Sequence, residues 1–208
     1  MALGPDAAWR GDALPREFYD RSAVAVARGL LGCYLVRRLG ARRSQAVAGR
    51  IVETEAYVGE RDRACHAHAG RTRRNAVMYG PPGHAYVYLI YGMYDMMNVV
   101  CRPPDEPHAV LLRAVEPTTG LDAMRRRRRV RRDADLASGP GKLCRAFAIT
   151  RALNGADLTA GPLSIVAGAP RATERIQRSA RIGVEYAGPD AARPLRFFLA
   201  PNLHVSRR

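Results

Sequence analysis

The chain has 208 residues, and its 34 Lys+Arg against 19 Asp+Glu give a formal net charge of +15 and a sequence pI near 10.7. That length suits one domain with a sizeable core, and that charge points to a polyanionic partner, nucleic acid before a membrane surface. No stretch approaches the roughly 18 consecutive apolar residues of a spanning helix, and the first residues lack the basic head and apolar core of a secretion signal, so a cytoplasmic protein is expected.

Residues 1–14 are small, polar and Gly/Pro-containing and predict a loose arm ahead of a single domain over 15–208. SAVAVARGLLG then predicts a short helix capped by Ser22 and closed at Gly32. The segments CYLVRRL, QAVAGRIVETEAYV, HAYVYLIYG, MMNVVCR and HAVLLRAVEP follow, rich in β-branched and aromatic residues with turn-formers between them, and predict strands. Connections such as YGPPGH and RPPDEPH are too short for crossover helices, so antiparallel pairing is expected. TTGLDAMRRRRRV predicts a helix at its start, SGPGKLCRAFAITRAL another, with Leu143, Phe147, Ala148 and Ala152 at helical spacing, and RPLRFFLA a last strand. The expected fold class is α+β (mixed α/β), a single domain with a curved, mostly antiparallel β-sheet flanked by helices.

Arginine fills positions 125–132 except Val130. Such a run has no apolar face to bury and predicts a solvated helix end or mobile loop, with phosphate contact as a compatible alternative. Lys142 is the single lysine, a candidate for a specific role where codon drift has turned the other positive charges to arginine, chance being the alternative. The four cysteines, Cys33, Cys65, Cys101 and Cys144, form no C-x-x-C pair and predict buried thiols rather than a zinc site or a disulfide framework.

Two segments carry the candidate chemistry. In GRIVETEAYV, strand alternation puts Ile51, Glu53, Glu55 and Tyr57 on one face and Val52, Thr54, Ala56 and Val58 on the other, turning the acidic face toward solvent, a cleft or a partner. Each acid could pair with an arginine of a neighbouring strand. Alternatively, one could serve as a general base that activates water for attack on a sugar carbon. In HAYVYLIYGMYDMMN, Tyr86 and Tyr88 share a face, Val87, Leu89 and Tyr91 share the other, and Gly92 suits a turn that would set Tyr91 and Met93 at a tip. An exposed aromatic on a basic protein can wedge into a base stack while a nucleotide swings out, with Tyr57, Tyr88 and His66 as flat surfaces for the extruded base. Ordinary sheet packing is the competing account of each tyrosine.

Taken in order, ETEAY, DRACH, YVYLIYGMYDMMN, VLLRAVEP, SGPGKL, RIGVEYAG and RPLRFF strongly resemble the alkyladenine (3-methyladenine) DNA glycosylase family, from about Leu14 to the end. The resemblance implies a mixed α/β domain that flips a damaged purine out of double-stranded DNA and hydrolyses its N-glycosidic bond, without metal or organic cofactor, acting as a monomer. It further implies Glu55 as the base that activates water, Arg113 as its supporting arginine, and main chain at Ile182 as a further partner of the water. Tyr57, His66 and Tyr88 match the walls of the base pocket, and Asn98 matches an asparagine that collides with the exocyclic amine of normal guanine. Tyr91, with Met93 beside it, matches the wedge, and Arg71, Thr72 and Lys142 are expected at the DNA backbone. Glu53 has no catalytic role in the family and falls to the structural reading. The arginine run is denser than the family pattern requires, and Arg73 stands where relatives commonly have proline. The rival readings are a non-catalytic nucleic-acid binder and a bifunctional glycosylase/lyase using Lys142 as a Schiff-base nucleophile.

Overall fold

The computed structural model describes residues 8–40 and 46–206. Eight strands form one curled sheet: β1 (Tyr34–Arg38), β2 (Ala46–Val58), β3 (Ala85–Ile90), β4 (Tyr94–Cys101), β5 (His108–Thr119), β6 (Leu163–Val166), β7 (Arg175–Ser179) and β8 (Arg196–Ala200). The main path runs β3-β4-β5-β2-β1-β6, with β8 added to β2 and β7 to β8. Every pairing is antiparallel, and between β3 and β4 and between β4 and β5 the short connections require it. β6 and β7 were not foreseen from the sequence.

Four short helices accompany the sheet: α1 (Arg16–Tyr19), α2 (Ala23–Gly29), α3 (Leu121–Arg128) and α4 (Pro140–Phe147). Ser22 caps α2 as expected, its Oγ accepting from the Ala25 N–H at 3.2 Å. α2 ends before Gly32, which instead adopts φ +91° and donates its N–H to Ile51 O at 2.8 Å. α4 starts on Pro140, whose missing N–H costs nothing in the first turn, and buries Leu143, Cys144, Ala146 and Phe147. The core lies between the helices and one face of the sheet, where Ala56, Ala85, Val87, Met97, Val99, Val110 and Leu112 meet α2 and α4 residues. The four cysteines are free and buried. Among the described residues no helix is long and apolar enough to cross a membrane.

Of the expected arm, residues 1–7 lie outside the described residues, as does Gln45 of the second predicted strand. The part from residue 8 onward lies against the sheet. Trp9 is buried against Val36, Ala46, Ala48 and Val166, and Ala13 bridges Val166. One large indole supplies enough apolar surface to hold a segment whose composition otherwise reads as a loop.

Part of the arginine run is tied down. Its first half is the last turn of α3, where Arg125 bridges Asp122 at 2.7 Å and Asp133 at 2.8 Å. Arg127 donates to Ala146 O at 2.8 Å and Arg128 to Leu136 O at 3.0 Å, tying α3 to α4 and the chain between them. Arg126, Arg129 and Arg131 are exposed, and their side chains have no hydrogen-bond or ion-pair partner among the described residues.

Candidate active site

Strand register assembles the site. Glu55 pairs with Leu111, Leu111 with Asn98 and Asn98 with Tyr86, so these four residues form one row across β2, β5, β4 and β3. Tyr57 opposite Ala109 and Tyr88 opposite Met96 belong to the same face by the two-residue period. That face turns away from the core and lines a cleft of about 680 Å³. The loop Ala64–His66, the run Ile182–Tyr186, Pro140 and Tyr91 complete its walls.

Both acids of the ETEAY segment are fully buried, whereas alternation had turned them toward a surface or cleft. Side chains and main chain from other segments close over them, Arg196 and Ser206 over Glu53 and Tyr57 and Ile182 over Glu55, and the register of β2 with β5 is irregular around Glu53. The irregularity lets one guanidinium reach both carboxylates. Arg113 Nε lies 3.1 Å from Glu53 Oε1, and its Nη1 lies 3.3 Å from Glu55 Oε2. Glu53 also accepts from Arg196 Nε at 2.7 Å, from the Ser206 N–H at 2.6 Å and from Ser206 Oγ at 2.8 Å. It is a saturated structural anion that ties the C-terminal segment to the sheet.

Glu55 is held differently. Oε1 accepts the Ile182 N–H at 2.7 Å and Oε2 the Tyr57 hydroxyl at 3.0 Å. Its three partners, Arg113, Tyr57 and Ile182, all line the cleft, so the carboxylate sits one layer behind the wall. Burial pushes its pKa above the ordinary 4.5, and Arg113, the Ile182 amide and the Tyr57 hydroxyl offset that only in part. The main chain at Ile182, expected beside the water, meets the carboxylate through its N–H.

The aromatic wall is built around His66. Its Nδ1 is 2.9 Å from Tyr86 Oη, and its ring meets Tyr88 edge-on, with centroids 4.5 Å apart. Burial, followed by the nearby Arg74 charge, lowers the His66 pKa to about 4, so the imidazole is neutral at pH 7. Asn98 is buried at the cleft floor, its Nδ2 3.4 Å from Tyr86 O. Tyr91 and Gly92 both take positive φ, 52° and 69°, forming a turn that breaks the alternation assumed for Tyr91. Tyr91 thereby joins Tyr86 and Tyr88 on the cleft side and stands 78% exposed at its mouth.

The structure thus brings together Glu55, Arg113, Ile182, Tyr57, His66, Tyr88, Asn98 and Tyr91. Met93 is 67% exposed beside the tip but lines a separate hollow with Tyr94 and Cys144. Arg71, Thr72 and Lys142 are exposed away from the cleft lining. Arg71 faces Asp105 at 3.4 Å, Thr72 Oγ1 accepts the Asn75 N–H at 3.3 Å, and Lys142 Nζ lies 3.5 Å from Ser138 Oγ. Sequence reasoning missed Tyr86 as the partner of His66, although it had placed Tyr86 on the same face as Tyr88. It also missed Tyr186, 71% exposed at the cleft rim, and the buried pair Asp62–Arg181, whose members lie far apart in the chain.

Comparison with known proteins identifies related chains. Residues 17–203 match the family model described as methylpurine-DNA glycosylase. The chain is 56% identical over 196 residues to a protein of Methanocella arvoryzae named "Putative 3-methyladenine DNA glycosylase", covering 94% of this chain and 96% of that one. Proteins of the same name from Carboxydothermus hydrogenoformans and Myxococcus xanthus are 48% and 47% identical, covering 94% and 93% of this chain and 99% and 93% of theirs.

Proposed function

The chain belongs to the methylpurine-DNA glycosylase family, and from that premise we propose that it excises alkylated purines from duplex DNA, with Glu55 as the base that activates water. The observation that carries this reading is the position of Glu55: fully buried, with a raised pKa, and held only by groups that line an aromatic cleft. A raised pKa makes a carboxylate a better proton acceptor near neutral pH.

The damaged purine leaves the base stack for the cleft, Tyr91 fills the vacated space, and the base lies against Tyr57, His66 and Tyr88. Water attacks C1′ as the N-glycosidic bond breaks, the bonding pair leaves with the purine nitrogen, and the water proton passes to Glu55. Arg113 favours the ionised form of Glu55 against the opposing effect of burial, and is itself balanced by Glu53. An N-alkylated purine is already cationic and departs without being protonated. A neutral purine such as hypoxanthine needs a proton, and His66 at pH 7 is a poor source of one. Asn98, buried in the cleft, is assigned in this reading to exclude the exocyclic amine of guanine.

Hydrolysis is favoured over a lyase route because Lys142 is not among the side chains lining the cleft. One cleft per chain suits action as a monomer. The reading is tested with duplexes that each carry one modified purine, scored for free base and for strand breaks. Release of 3-methyladenine with an intact backbone is expected, with hypoxanthine slower. Failure to release any alkylated purine contradicts it.

A further inference from the structure

We propose that the buried pair Asp62–Arg181 is a positioning device for the catalytic site, holding Tyr57 and the Ile182 amide in place against Glu55. This rests on the reading of Glu55 as the base. Both side chains are fully buried, and the guanidinium engages the carboxylate twice, Nη1 to Oδ2 at 2.5 Å and Nη2 to Oδ1 at 2.7 Å. Arg181 spends its remaining Nη hydrogens on the carbonyls of Ala56, at 3.0 Å, and Asp190, at 3.2 Å. Its Nε has no hydrogen-bond partner, and the guanidinium carbon stands 4.8 Å from the centroid of the Tyr57 ring. Asp62 in turn accepts the N–H groups of Val58 and Ala64, each at 3.1 Å.

One ion pair therefore ties down three stretches of cleft wall at once. Ala56 lies between Glu55 and Tyr57, Ala64 opens the loop that carries His66, and Arg181 is the residue before the amide that binds Glu55. A guanidinium against the face of Tyr57 also fixes that ring on one side, leaving its other side for a base. If the pair served stability alone, a fold with an ample core could have placed apolar residues of similar volume there at no loss. Here each hydrogen bond ends on a segment that shapes the cleft. Glu53 and Tyr57 on β2, Arg113 on β5, Tyr88 on β3, Arg181 and the Ile182 amide make up the charged and polar surroundings of Glu55.

The test uses the full chain and a duplex with a single N-alkylated purine, following single-turnover base release across pH. The variants are Arg181→Lys, the double variant Arg181→Met with Asp62→Asn, and Glu55→Gln. Lysine keeps the buried charge pair, and with it the fold, but cannot form the fork or lie flat on Tyr57. The double variant removes both charges and leaves none unpaired. Displacing the Ile182 amide withdraws a hydrogen bond that favours the ionised form of Glu55, so the acidic limb of the rate profile moves to higher pH. The plateau rate is expected to fall about 10- to 100-fold, the scale of a small misplacement of catalytic groups. A purely structural role lowers the folded fraction, read by circular dichroism, and leaves limb and plateau, taken at saturating enzyme, where they are. That result in Arg181→Lys overturns the proposal while leaving Glu55 as the base. Wild-type release by Glu55→Gln instead overturns the reading on which the proposal rests.

Discussion

Strand β2 carries two buried arginine–carboxylate networks, and the same chemistry leads to opposite outcomes at its two ends. Toward its start, Arg50 lies between Glu174 and Glu116, with contacts of 2.6 and 2.7 Å, and Asn202 and Arg171 add further donors to both acids. Burial alone would raise the Glu174 pKa, but those hydrogen bonds outweigh it and hold the pKa at about 2. Toward the other end, Glu55 has one shared arginine, one amide and one tyrosine, and burial wins. Of two buried carboxylates on a basic protein, the oversupplied one keeps a depressed pKa, and the undersupplied one, with its pKa raised, is the one proposed as the base.

The comparison breaks most visibly at Glu55. Glu55→Gln is expected to slow single-turnover base release by about 10²–10⁴-fold while binding of lesion duplex persists, as read by gel shift. Glu53→Gln, two residues away, should cost stability and keep release. At the other end, Arg50→Met takes the main counter-charge from the buried Glu174 and one partner from the half-buried Glu116, and denaturant unfolding should show a loss of about 3–5 kcal/mol, with the release rate per folded molecule unchanged. The sign of the pH dependence separates the ends as well. Because the Glu174 pKa is depressed, its contribution to stability is present above the ordinary carboxylate range and is lost as pH falls from about 4.5 toward about 2. Acid unfolding should therefore begin in that window in the wild-type protein.

Smaller effects sharpen the picture. Tyr57→Leu keeps the apolar wall but removes the stacking face, and affinity for a duplex with an uncleavable lesion analogue should drop by about 1–3 kcal/mol. Lys142→Met should lower the slope of log K against log salt by about one unit and leave the saturated release rate unchanged. Borohydride should trap no covalent adduct with DNA, and an adduct that disappears in Lys142→Met would establish the lyase route.

The strands that build the site were legible because each is a compact run of β-branched and aromatic residues between turn-formers. The residues lining one wall could be gathered from alternation within ETEAY and within YVYLIYG, and from family likeness for Arg113, Asn98 and Ile182. What alternation could not supply was the cross-strand register that aligns Glu55, Leu111, Asn98 and Tyr86 in one row. β7 escaped notice because Arg175–Ser179 is polar and mostly exposed, with no apolar face to betray a strand. Asp62 and Arg181 escaped because 119 residues separate them, and a buried ion pair leaves no local pattern. The arginine run was read as a solvated helix end or mobile loop, and it does close α3; the contacts of Arg127 and Arg128 with carbonyls outside that helix, set by tertiary packing, had no local signal.

The most direct test of Glu55 as an undersupplied buried base is the pH profile of single-turnover release from a duplex carrying one cationic alkylpurine. The wild-type rate should fall on the acid side through a single ionisation lying above 4.5, and that limb should be absent from the residual rate of Glu55→Gln. A wild-type rate that stays flat to well below pH 4.5, or a limb that survives in Glu55→Gln, would contradict the account.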